Sequence, residues 1–358
     1  MIDRKFALSK AEYDTIRQSL TVAPNAAISI GTLVFNAALL CVALAFLASG
    51  SQTQYWLAQA LLPVVFFQAF SLLHDCGHGS FSSRRWVNTV VGHYTSLLCF
   101  MPYFPWRYVH AEHHAWAGNV DRDPGLALVK RVRDTKSAPS VLRLGWRTGL
   151  PIGALAQHVV FWAYPIQVLR RGGMTRSRTV RCAASVVLLP SAYAGLHYAW
   201  PELFRFSNFA PALVAYLVLV ELVNLPHHVG LTSFAERLPL WQQHVSTRSC
   251  RYPVGISEVF VLNFNFHIEH HLYPNLPWYR LRRAHTLVKA ALGSAYRETD
   301  GFSWHGAQRR RPFLDVLLAA PSPNSAAVRT RADGDDLGSE AVHAPARDRL
   351  TNDRIVDC

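Results

Sequence analysis

The chain carries 17 histidines in 358 residues, and eight of them fall in three tight groups. His74 and His78 stand in HDCGH, His110, His113 and His114 in HAEHH, and His267, His270 and His271 in HIEHH. On a helix, positions i, i+3 and i+4 share a face, roughly 5–6 Å apart. Each group therefore aims two or three imidazoles at one place. Neutral imidazole binds iron, copper, nickel or zinc. None of the six cysteines forms a CxxC pair. Clustered imidazoles without thiolates suggest a redox or hydrolytic metal, not a structural zinc. One zinc ion takes about four ligands, so two ions sharing the set is the simplest count. The acidic residue of each HxEHH group sits at the wrong offset for the HExxH zinc-protease pattern.

A ninth ligand follows from the stretch VELVNLPHHVG. Asn224 and His228 are i, i+4 and share a face, while Pro226 between them favours a bend. His228 is expected as a ligand and Asn224 as the holder of a metal-bound water. His227 points about 100° away and is the poorer candidate. Glu221 lies seven residues before His228 on the same face. A carboxylate inside an apolar run is costly and functional by default; it either supports the ligands from behind or pairs with a nearby polar group. Asp75, Glu112, Asp121, Asp123 and Glu269 flank the groups and can accept the free N–H of a ligating imidazole, which fixes its tautomer. Asn263, four residues before His267, is placed to orient the third group. The isolated His93, His158, His197, His244, His285, His305 and His343 read as structural or surface residues.

Long uncharged runs must position these groups. Residues 27–48 and 54–73 carry no charge, and each can cross roughly 30 Å of hydrocarbon at about 1.5 Å per residue. The runs 183–200, interrupted by Pro190, and 209–225, with only Glu221 charged, follow. The stretch 151–169 holds His158 and two prolines and reads as interfacial, as does 86–104. The connection 49–53 is short enough to make the first two spans a hairpin. The formal charge is +13, but it is unevenly placed. The short connections 49–53 and 201–208 hold only Arg205 among basic residues, whereas Arg84, Arg85, Arg170, Arg171, Arg176 and Arg178 lie on the other side. This positive-inside asymmetry accounts for the charge without nucleic acid. It places both termini and the histidines in the cytoplasm, and a bacterial inner membrane is expected. The expected fold class is all-α and integral to the membrane, with about four transmembrane helices and a cytoplasmic helical cap holding a di-metal site. Its parts are an interfacial segment (1–25), the membrane domain (26–300), a C-terminal extension (301–319) and a disordered tail (320–358).

The strings HDCGHGSFS, HAEHHAWAGNVDRDP and NFNFHIEHHLYPNLPWYRL resemble the three histidine boxes of membrane fatty-acid desaturases, in order, type and placement after paired spans. The resemblance covers about residues 26–300. It implies two irons held by His74, His78, His110, His113, His114, His267, His270 and His271. Asn224 and His228 stand where the family has an Asn-x-x-x-His element. It further implies O2 as co-substrate, membrane lipids as surroundings, and removal of two hydrogens from adjacent methylenes of a fatty acyl substrate carried on a lipid, coenzyme A or a carrier protein. No haem-binding HPGG string occurs, so a separate ferredoxin or cytochrome is the expected electron donor. Acyl hydroxylases, acetylenases and carotenoid oxygenases share the boxes and remain alternatives. A metal transporter is the remote one, because transport sites lie near the bilayer midplane and these clusters lie at span ends. Trp106, Tyr108 and Trp116 read as an interfacial aromatic belt or as the lining of an acyl tunnel. Arg280, Arg282 and Arg283 read as attracted to the lipid surface, or as contacts for a phosphate headgroup or acidic carrier protein.

Overall fold

The computed structural model describes residues 8–136, 140–171, 175–231 and 233–317. The tail 320–358 lies outside the described residues, as do positions 318 and 319 of the extension. The described helices are α1 (Lys10–Ser19), α2 (Ala26–Ala48), α3 (Gln52–His78), α4 (Arg85–Cys99), α5 (Tyr103–Ala115), α6 (Ala127–Thr135), α7 (Ser140–Thr148), α8 (Ile152–Arg171), α9 (Arg176–Ala199), α10 (Ala210–His228), α11 (His267–Leu272), α12 (Leu281–Leu292), α13 (Gly301–Gln308) and α14 (Phe313–Leu317). Two three-residue strands, β1 (Ser249–Arg251) and β2 (Glu298–Asp300), pair in parallel.

Helix α3 is the buried axis of the bundle, with α2, α4 and α10 packed around it. It begins on the Ser51 cap and ends at Gly79, whose φ of 72° is left-handed. That conformation is inexpensive only for glycine, so the first histidine box is the final turn of a 27-residue helix. Helix α2 turns Ile30, Val34 and Phe35 outward, as a lipid-facing surface would. Two polar side chains inside the bundle pair with each other and with backbone, as a water-free interior favours. Asn36 Nδ2 donates to the Val65 carbonyl and to Gln68 Oε1, and Gln68 Nε2 donates to the Val259 carbonyl.

Among the described residues, five helices are long and apolar enough to cross a membrane: α2, α3, α8 as far as Leu169, α9 and α10. That is one more than the sequence suggested. The prolines of 151–169 did not divide the segment: Pro151 precedes α8, and Pro165 lies inside one continuous 20-residue helix. Both halves of α8 are tied to elements near the histidines. The Ala154 N–H donates to Glu221, Trp162 Nε1 to the Phe100 carbonyl, and the Tyr164 hydroxyl to Glu112. The stretch 86–104 splits at Phe100, a left-handed residue with φ 59°, so α4 and α5 form a turn rather than one interfacial helix.

The N-terminal segment does more than rest near a surface. Ser9 and Glu12 form a reciprocal cap at the start of α1. Tyr13, Ile16 and Leu20 then pack into a second apolar core with Ile268 and Leu272 of α11 and Val288 of α12. Tyr13 stacks on Tyr273 at 4.9 Å, and its hydroxyl donates to the Leu272 carbonyl. The third histidine box is thereby held from behind by the first helix of the chain.

Candidate metal centre

The nine histidines assemble into two groups. His74, His78, His110, His114 and His270 form the first, and His113, His228, His267 and His271 the second. In each, the donor atoms lie within 4.8 Å of one another. Helix α3 supplies the first box, α5 the second, α11 the third, and the end of α10 supplies His228. On α5 the i+3 offset sends His113 to the second group while His110 and His114 enter the first. On α11, His270 joins the first group and His267 and His271 the second.

The nitrogens converge closely. Nε2 of His78 lies 2.9 Å from that of His110, which lies 3.1 Å from that of His114; His114 to His270 is 2.7 Å and His270 to His74 is 3.1 Å. In the second group, Nε2 of His113 is 3.3 Å from that of His271, His271 is 3.2 Å from His267, and His267 is 2.9 Å from His228. A neutral imidazole carries one N–H. In three residues that proton is engaged on the far side of the ring: His113 Nδ1 meets Asp123 Oδ1 at 2.8 Å, His271 Nδ1 meets Gln243 Oε1 at 3.0 Å, and His228 Nδ1 meets the Ser246 carbonyl at 3.3 Å. Their Nε2 lone pairs then face one another, an arrangement that repels unless a cation lies between them. Nitrogens about 2.1 Å from one ion and at right angles are about 3.0 Å apart, which is the spacing seen. The residues present fit two bound metal ions. Five imidazoles in one group also exceed the roughly four ligands of a structural zinc.

Burial holds His110, His114, His267, His270 and His271 well below the ordinary imidazole range, and repulsion from neighbouring histidines adds to the effect. These rings are therefore neutral at physiological pH, the form that ligates.

The other expected residues divide. Asp123 supports the second group directly, and its two oxygens also accept the Gly125 and Gly118 N–H groups. His227 stays outside both groups but stacks on His267, ring centres 4.1 Å apart and 11° from parallel. Asn224 donates Nδ2 to the Val220 carbonyl of its own helix. Glu221 does not back the ligands. It pairs with Arg309 of the segment after α13 at 2.9 Å and accepts the Ala154 N–H at 3.1 Å, because a buried carboxylate is drawn to the cation and donor that reach it. Asn263 donates to the Trp278 carbonyl at 3.4 Å rather than to His267. Its contribution is conformational: φ is 56°, and its carbonyl accepts the Phe266 N–H just before α11. Asp75 accepts the Trp278 N–H. Glu269 accepts from Ser249 and Tyr296 at 2.8 and 2.6 Å and meets His285 at 3.3 Å, so His285 belongs to the scaffold of the third box.

Two supports escaped sequence reasoning. Gln243 accepts from His271 and donates to the His114 carbonyl at 2.8 Å, linking the groups. Nothing in the short stretch WQQH, part of a 3-10 helix, marked it. Trp106 stacks on His110 at 4.9 Å and 14° and is only 2% exposed. With Tyr108 equally buried, these residues are not an interfacial belt. Trp116 lies beneath Arg122. A cavity of about 610 Å³ reaches His78, His110 and His114 between Trp106, Arg237 and Leu240.

Fold and site together define a helical membrane protein with two groups of histidines, each able to hold a metal ion. The chain belongs to the fatty acid desaturase family, whose model matches residues 51–302. It is 30% identical over 271 residues to an sn-1 acyl-lipid omega-3 desaturase (ferredoxin) of Synechocystis sp., covering 70% of each chain. It is also 30% identical over 270 residues to an sn-1 oleoyl-lipid 12-desaturase of Picosynechococcus sp., covering 68% of this chain and 73% of the relative. A chloroplastic sn-2 acyl-lipid omega-3 desaturase (ferredoxin) of Arabidopsis thaliana is 27% identical over 270 residues, covering 69% and 57%. The protein is accordingly an oxidoreductase, a fatty acyl desaturase.

Proposed function

We propose that the chain introduces a double bond into an acyl group carried on a membrane lipid, using two irons, O2 and electrons from a ferredoxin. The observation that carries the metal assignment is the pair of groups with inward-facing Nε2 atoms. The ferredoxin and the lipid-borne substrate are supported by the names of the relatives, which are acyl-lipid desaturases, two of them named with ferredoxin. The balance is one O2, two electrons and two protons taken up, two hydrogens removed from adjacent methylenes, and two waters formed.

When bound, the irons supply the oxidising power that attacks an unactivated C–H bond. His74, His78, His110, His114 and His270 would hold one, and His113, His228, His267 and His271 the other. The protein's own part is orientation and exclusion of water. Asp123, Gln243 and the Ser246 carbonyl fix the tautomers of His113, His271 and His228. Trp106 closes one flank of His110. The Asn224 amide oxygen is the remaining candidate to hold a water at the second group. With α2, α3, α9 and α10 crossing and α8 lying at the interface, the charge asymmetry supports a cytoplasmic placement of the site and both termini, and a bacterial inner membrane is proposed for the whole chain.

The test is expression in a bacterial host with a ferredoxin and its reductase, with total fatty acids read by gas chromatography–mass spectrometry. A new unsaturated acid that disappears in His270→Ala is expected. A hydroxy or acetylenic acid in its place would overturn the assignment of simple desaturation.

A further inference from the structure

A second cavity, about 580 Å³, lies on the other flank of the first box. Its wall carries Arg85 at the start of α4, Arg107 of α5 and Arg181 of α9, with the hydroxyls of Ser82, Ser83 and Thr89 between them. Among its described lining residues there is no carboxylate. Arg107 is fixed by donating Nε to the Gly77 carbonyl at 3.1 Å, and Arg181 is braced over the Phe104 ring. Arg84 gives α4 no side-chain cap, so the positive end of that helix dipole lies in the same wall. Three guanidinium groups, hydroxyls and a helix N-terminus form a chemistry that recognises phosphate.

The location indicates which phosphate. Trp86 and Val90, next to Arg85 and Thr89 on α4, point outward with 64% and 59% of their surface exposed. Residues 22–24, the approach to the outward-facing helix α2, also line it. The cavity thus stands where apolar surface meets basic surface, the level of lipid headgroups. His78, a member of the first metal group, is among the residues it touches. Arg282, after the third box, does not line this cavity and pairs with Glu258 at 2.7 Å.

We infer that this arginine-lined cavity holds the phosphodiester headgroup of an anionic acyl-lipid substrate while its acyl chain is presented to the metal groups. The inference rests on the lipid-substrate reading above and adds the headgroup class to it.

The test uses the purified, iron-loaded full chain in detergent micelles. It is offered equal amounts of phosphatidylglycerol and galactosyl diacylglycerol, repurified, and the retained lipid is measured by mass spectrometry. Wild type is expected to retain phosphatidylglycerol preferentially. The preference should fall at least about tenfold in Arg85→Gln/Arg181→Gln, persist in part in Arg85→Lys/Arg181→Lys, and be unchanged in Arg282→Gln/Arg283→Gln. An unchanged preference in the first pair, or an equal loss in the third, overturns the inference. Displacement of the lipid by millimolar inorganic phosphate or coenzyme A would assign the cavity to a soluble phosphate and overturn it as well. Product formation in the expression assay is scored separately. Desaturation without headgroup preference refutes this inference alone, whereas headgroup retention without any desaturated product refutes the reaction.

Discussion

Asp123→Ala is the sharpest probe of the two-group arrangement. Asp123 is 2% exposed and sits behind His113, not among the ligands. Its carboxylate accepts three N–H groups, from His113, Gly125 and Gly118, at 2.8, 2.8 and 3.2 Å. Removing it strands the His113 Nδ1 proton and frees the ring to adopt the tautomer that points a proton at the metal. Loss of such an outer partner costs about 10–100-fold in metal affinity, or about 1.4–2.7 kcal/mol. Asp123→Asn should be milder, since one amide oxygen can still serve His113 and Gly125 while the Gly118 N–H loses its acceptor. The effect should fall on one group only, because His113 lies with His228, His267 and His271 and not with the other five histidines. The assay is metal per chain by mass spectrometry during titration with a chelator. Wild type should lose two ions at high chelator, and Asp123→Ala should lose one of them at about 10–100-fold lower chelator strength. Equal weakening of both ions, or no weakening, would refute the division into two groups and the support role of Asp123.

Gln243→Ala removes the acceptor of His271 and the donor to the His114 carbonyl; metal loss in the same titration should begin at the second group. Arg309→Ala leaves Glu221 charged and unpaired inside α10. Breaking a buried pair from one side costs about 3–5 kcal/mol, so thermal unfolding should drop sharply, and Glu221→Gln/Arg309→Ala should recover part of the loss. Burial lowers the pKa of His244 and of His305 to about 4 from 6.5. The folded state therefore binds fewer protons than the unfolded chain, and stability should fall as pH drops from about 6.5 toward 4. A melting temperature of the metal-free protein that is flat over that window would contradict the burial of these rings.

The sequence alone determined the class of chemistry and the membrane setting. The histidine offsets of three and four residues state which imidazoles share a helical face, and the uncharged runs state where apolar solvent must be. Both are local properties of a chain, so the boxes, the contribution of His228 and the apolar spans were legible. The hairpin of α2 and α3 followed from a five-residue connection. Asp123 could be proposed because it follows the second box closely.

How those faces meet is set by the three-dimensional packing of the chain. The partition of nine histidines into five and four depends on the angles at which α3, α5, α10 and α11 converge, and no spacing within one helix encodes an angle between two. Glu221 looked like a partner of His228 because both lie on one helical face. The fold instead brings Arg309, 88 residues away, to it, and a buried carboxylate takes the nearest cation. Gln243 is a polar residue in a short 3-10 helix, Leu240–Val245, whose role exists only because it meets α11 and the end of α5. The same is true of α1, whose apolar face is readable but whose partner, the third histidine box, lies some 260 residues further along the chain. Sequence states which groups want burial, pairing or a metal; only the closed chain supplies the partner, because the energy that selects it comes from contacts between residues far apart in order.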